Sequence, residues 1–159
     1  MATLNIDLEA QRAAMAKLAF LVGKWEGEAR IYRGPGEPTV LRMTEDASYR
    51  LGGLILLIEG IGRSKADGKA ALQAIGFVSY GDAKGTYHMR AFNDGRFLES
   101  PVKLLEDGKS LAWGFTLDQI RTSSVLRINE RGEWTEQHEI TIGEQPAKKF
   151  MEMVVRRTG

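Results

Sequence analysis

The sequence predicts an all-β domain: ten antiparallel strands in an up-and-down barrel, with one helix ahead of them. Three observations point there. From Trp25 onward the chain divides into roughly ten extended runs, most bounded by glycine, proline or Asn/Asp turn signals. The connections between runs are two to six residues long, too short for the crossovers that parallel strands require, so successive hairpins are expected. Ten hairpin-linked strands leave exposed edges unless the sheet closes on itself. A two-sheet sandwich is the alternative architecture.

The helix is read over about residues 6–21. Ile6, Ala10, Ala13, Ala14, Lys17, Leu18 and Leu21 fall near the i, i+3, i+4, i+7 template, and the alanines add intrinsic propensity. Asn5 or Asp7 can cap its start, and Gly23 stands where a helix usually stops. The extended runs follow at about 25–33, 38–50, 53–64, 71–80, 85–93, 96–104, 109–118, 121–130, 133–142 and 147–157. Gly34-Pro35-Gly36, Ala66-Asp67-Gly68, Gly81-Asp82, Asn93-Asp94-Gly95, Glu106-Asp107-Gly108, Arg131-Gly132 and Gly143 separate them. The whole chain, 1–159, reads as one domain, with the barrel over about 24–158.

Composition removes several classes of function. Lys+Arg 22 against Asp+Glu 21 leaves a net charge of +1, so there is no basic excess for a nucleic-acid partner. A hydrophobic fraction of 43% supports a real core, and 18 glycines suit a turn-rich chain. With no cysteine there are no disulfides, thiolate metal sites, iron–sulfur clusters or cysteine nucleophiles. A zinc site would have to draw on His88 and His138, the two histidines present. Asp67, Asp82, Asp94 and Asp107 lie beside glycine as turn formers, so no metal is assigned. No phosphate-binding loop and no nucleophile elbow occur. The residues before Phe20 are too charged for a signal or membrane segment, and the uncharged apolar run Leu51–Ile58 is too short to cross a bilayer. A cytoplasmic location and no membrane partner are therefore expected.

The stretch Leu21-Val22-Gly23-Lys24-Trp25-Glu26-Gly27 has the form L-x-G-x-W-x-G and enters the first strand from the helix. It resembles the opening signature of the calycin superfamily, which includes lipocalins, fatty-acid-binding proteins and nitrobindin-like barrels. In such barrels the Gly-x-Trp pair seals one end. The continuation through Thr44-Glu45, Tyr49-Arg50-Leu51-Gly52-Gly53-Leu54, Ile75-Gly76-Phe77-Val78-Ser79-Tyr80-Gly81-Asp82 and the closing Arg156-Arg157 is similar to a bacterial domain-of-unknown-function family with a lipocalin-like barrel. That resemblance covers nearly the whole chain from about residue 15, and makes the expected barrel calycin-like. Nitrobindins hold haem through a histidine on a late strand; the last strand here carries none. No cofactor is assigned on that basis.

Side chains alternate along a strand, so the apolar phase of each run marks the barrel lining. Leu41, Met43, Ala47, Tyr49 and Leu51 share a phase with Glu45 among them; Leu111, Trp113, Phe115 and Leu117 share another. Trp134, Glu136, His138, Ile140 and Ile142 share a third, which places a carboxylate and an imidazole on an otherwise apolar face. For 85–93 the phase is open between Tyr87, Met89, Ala91 and His88, Arg90, Phe92. Apolar walls with a few convergent polar groups suit a small-molecule site. The candidate ligand-binding residues are Glu45, Tyr49, Glu136 and His138 as the polar set, with Trp113, Phe115 and Trp134 as wall. No catalytic residue is assigned. The expected function is binding of a small apolar or amphipathic molecule, with homodimer formation left open. The alternatives are a cofactor-free lyase or isomerase built on a buried carboxylate, and haem binding through His138 or His88.

Overall fold

The computed structural model describes residues 6–159. Helix α1 (Leu8–Ala16) is capped by Asp7, whose carboxylate accepts from the Ala10 N–H at 2.9 Å. Asn5, the other cap considered, lies outside the described residues. The helix is shorter than the periodicity implies. The chain tightens into a 3₁₀ turn at Ala19–Leu21, which keeps Met15, Leu18 and Leu21 fully buried against the barrel.

Eleven strand segments follow: β1 (Gly23–Ile31), β2 (Thr39–Arg50), β3 (Ile55–Ser64), β4 (Ala70–Gly81), β5 (Thr86–Asn93), β6 (Arg96–Leu104), β7 (Ser110–Trp113), β8 (Thr116–Leu117), β9 (Ile120–Ile128), β10 (Trp134–Ile142) and β11 (Lys148–Arg157). Each pairs antiparallel with its neighbours, and β11 pairs with β1, so the sheet closes. β7 and β8 both pair with β9 and act as one interrupted stave, which gives ten staves in all.

The break within 109–118 has a local cause. A Cβ on Gly114 would fall 2.4 Å from the Thr122 carbonyl oxygen, so only glycine passes there. The regular ladder gives way to a mixed set of bonds, from the Gly114 N–H to Ser100 Oγ, from the Phe115 N–H to Thr122 Oγ1 and from the Thr122 N–H to the Phe115 carbonyl. The β5–β6 hairpin turns on Asp94 and Gly95 with φ of +47° and +83°, the pairing of positive φ values that a two-residue hairpin favours.

One end of the barrel is closed by the helix and the 3₁₀ turn. The Trp25 indole N–H donates to the Leu21 carbonyl at 2.9 Å, and the ring packs edge-on against Trp134 with centroids 5.4 Å apart. The Tyr49 and Tyr87 hydroxyls donate to the Met15 and Ala14 carbonyls, each at 2.6 Å, in addition to the turn bonds that the Leu18 and Lys17 N–H groups make to the same two carbonyls. Arg157 lies over the Trp25 ring at 4.3 Å and donates to the Phe20 and Val22 carbonyls.

Burial falls off along the barrel axis. Near the helix, inward residues such as Leu56, Val78, Tyr87, Val102, Leu126 and Val155 are buried. Toward the far end of the same staves, inward Ala74, Ala91, Leu98, His138 and Met151 each keep contact with solvent. These staves therefore give the barrel a packed half and an open half, although Ala29, Leu41 and Met43 on β1 and β2 stay buried away from the helix.

Candidate functional site

Alternation on β10 carries Trp134, Glu136 and His138 inward together. The three side chains form a chain of hydrogen bonds. The Trp134 indole N–H donates to Glu136 Oε2 at 2.7 Å, and Glu136 Oε1 lies 2.9 Å from His138 Nε2. His138 Nδ1 lies 2.6 Å from Ser124 Oγ, which the β9–β10 register places directly opposite. A carboxylate accepts and does not donate, so Nε2 carries the hydrogen toward Glu136, and a neutral ring then accepts the Ser124 hydroxyl at Nδ1. The side chains of Glu136 and His138 are each 13% exposed, which puts this chain at the boundary between the packed and open halves.

Two aromatic rings flank the imidazole: Trp113 at 6.0 Å and Phe150 at 5.7 Å between centroids. Phe150 comes from a strand whose register shifts between His138 and Glu139, the irregularity that brings this ring beside the histidine.

Glu45 also faces inward, on β2, between Trp25 of β1 and Gly60 of β3. It is 8% exposed. Burial pushes its carboxyl well above the usual carboxylate range, and the nearby Glu136 charge pushes it further the same way. Such a carboxyl holds a proton at pH values where an exposed glutamate has lost it.

Of the residues nominated from sequence, Glu136, His138 and Trp113 come together, with Trp134 as the floor beneath them and Glu45 electrostatically linked to Glu136. Tyr49 stands apart, because its hydroxyl is committed to the Met15 carbonyl at the closed end and ties down the helix. Phe115 lies past the Gly114 break and is only partly buried, while Leu117 and Ile142, which share the apolar phases, are exposed at the open rim. The open phase of the 85–93 run resolves with Tyr87, Met89 and Ala91 inward, since Tyr87 is buried and pairs with inward Val102. His88 and Phe92 therefore point outward. Ser124 was not nominated; its partner relation to His138 depends on a cross-strand register that short-range pattern does not specify.

A groove of about 440 Å³ lies between β3, β4 and β5, where outward-facing Ile61, Gln73, Ile75 and Phe92 meet Asp94 of the hairpin. Of the inward groups above it touches only Gly60, the glycine beside Glu45, and Ala74, which pairs with that glycine.

The barrel resembles Rv2717c from M. tuberculosis. That crystal structure superposes with a TM-score of 0.72 at 16% sequence identity, covering 92% of this chain and 98% of the other. At this identity the likeness shows the fold alone. No protein-family model and no curated protein matches the chain. No helix among the described residues is long and apolar enough to cross a membrane.

An axial haem ligand needs an imidazole nitrogen with a free lone pair directed into the cavity. His138 has both nitrogens engaged, one by Ser124 and one by Glu136, and His88 faces away from the interior. As arranged, the histidines do not fit haem ligation.

Proposed function

We propose that this protein is a calycin-type binding barrel that holds a small apolar or amphipathic molecule in its open half. The observation that carries the reading is the position of the Ser124–His138–Glu136–Trp134 chain at the boundary of that half. Its groups are oriented before any ligand arrives, so little ordering entropy remains to be lost on binding. The wall above it is apolar, with Trp113, Phe150 and Met151 supplying the area that drives association and the polar chain fixing orientation.

Native mass spectrometry of the freshly purified chain tests this directly. A co-purified small molecule that is lost from His138→Leu but retained by an outer-face variant such as His88→Leu supports the reading. Retention by both variants places the molecule elsewhere and overturns it.

A second reading, cofactor-free acid–base chemistry of the lyase or isomerase kind, is favoured by one observation: a protonated Glu45 beside the Glu136 carboxylate pairs a potential acid with a potential base. Turnover that vanishes in Glu45→Gln would move the assignment from binding to catalysis.

A further inference from the structure

The placement of charge inside the barrel narrows the class of ligand. Between the two rims the inward register carries two carboxyl groups, Glu45 and Glu136, one imidazole, His138, and no Lys or Arg. Basic residues that fall in the inward register do so only at the ends: Arg96 and Lys148 at the open rim, and Arg157 over Trp25 at the closed one. All three are exposed.

Glu45 is the unusual member. It is more than nine-tenths buried. Its neighbours across the ladders, Trp25 from β1 and Gly60 from β3, are not titratable. The charged group that reaches it from β10 is Glu136, itself joined to His138, and on its own strand Tyr49 is turned to the helix. A Cβ on Gly60 would lie 2.6 Å from Glu45 Oε1, so the glycine provides the space that the carboxyl occupies. Burying a carboxyl costs free energy. Here the fold makes room for one and aims it inward beside a second.

We infer that the open half accepts an apolar molecule bearing a protonated amine, with the ammonium held between Glu45 and Glu136. The inference rests on the binding reading above. An ammonium carries donors and no acceptor, the complement of two carboxylates. The Trp113 ring on the adjacent wall can add cation–π attraction. A carboxylate head group of the fatty-acid kind would meet like charge and no cation. Arrival of the cation favours the ionised form of Glu45, so binding releases a proton and tightens as pH rises.

Three probes with one tail and different heads, octylamine, octanol and octanoate, test this on the full chain by calorimetry at pH 7. Octylamine is expected to bind at least tenfold tighter than octanol, with octanoate weakest. Repeating the octylamine titration in two buffers of different ionisation enthalpy is expected to reveal proton release. In Glu45→Gln, checked for folding by circular dichroism, the release disappears and the octylamine-over-octanol preference falls about tenfold. Octanol or octanoate binding as tightly as octylamine overturns the amine inference and leaves the binding reading intact. An unchanged preference in Glu45→Gln also overturns it. If none of the three binds at millimolar concentration, both fall. The head-group ranking in the unaltered protein decides the matter even if the variant does not fold.

Discussion

Trp134 and Glu136 stand two residues apart on one strand, and the indole N–H of the first donates to the carboxylate of the second at 2.7 Å. Trp134 is fully buried against Trp25, so this bond anchors the inner polar chain to the most tightly packed part of the barrel. The carboxylate cannot swing without breaking it, and His138 is in turn held by the carboxylate and by Ser124. Closure of the barrel end and orientation of the site are thus mechanically linked.

Trp25→Ala is the first expected consequence. It removes a buried ring that packs on Trp134, caps the Leu21 carbonyl and stacks under Arg157. The loss should be about 3–5 kcal/mol in urea unfolding, the usual range for a core aromatic. A variant melting within a degree or two of the parent would mean that the indole does not seal the barrel.

The helix should be separable from the sheet. Tyr49→Phe and Tyr87→Phe each delete one hydroxyl bond to a helix carbonyl, at a cost of about 1 kcal/mol apiece. Amide exchange should accelerate in α1 and the 3₁₀ turn and stay unchanged in β10. Uniform acceleration over the whole chain would show that the helix is not an independent lid on the closed end.

Glu45 sets a pH dependence whose sign follows from its raised folded-state value. Between the unfolded glutamate value, about 4.3, and the higher folded one, the native state binds the extra proton. The stability linked to Glu45 is therefore complete below about 4.3 and is lost as pH rises through the folded value. Glu45→Gln should flatten that descent and equal or exceed the parent in stability at pH 8. Parallel stability–pH curves for the two proteins would contradict the burial of this carboxyl.

Two glycines are expected to fail for different reasons. Gly95→Val meets no neighbour within 4 Å but must hold φ near +83°, a strain of about 1–3 kcal/mol. Gly27→Ala places a Cβ 2.0 Å from the Val154 carbonyl oxygen, and should disrupt the β1–β11 seam that closes the barrel. Equal tolerance of the two changes in thermal melts would show that the seam is looser than its register implies.

The strands were legible because turns such as Asn93-Asp94-Gly95 and Arg131-Gly132 carry their own backbone chemistry, independent of the rest of the fold. The inward phase of Trp134, Glu136 and His138 was legible because one apolar face allows only one orientation. What escaped depends on contacts distant in sequence. The hydroxyl of Tyr49 is claimed by a helix 34 residues away, which no strand pattern can reveal. Ser124 meets His138 through cross-strand register, and Phe150 reaches the same ring through a shift in the β10–β11 ladder. Gly114 looked like one more residue of an extended run, and its role follows from the Thr122 carbonyl pressed against it.

The most direct test of the central claim uses the indole N–H resonances of the three tryptophans, since each occupies a distinct level of the barrel. Trp25 is sealed at the closed end, Trp134 forms the floor of the site, and Trp113 stands on the wall beside His138. On titration with octylamine the Trp113 signal should move most, Trp134 less through its bond to Glu136, and Trp25 least, through its place beside Glu45. Movement of Trp25 with Trp113 unaffected, or no movement of any of the three at saturation, would contradict a ligand site in the open half.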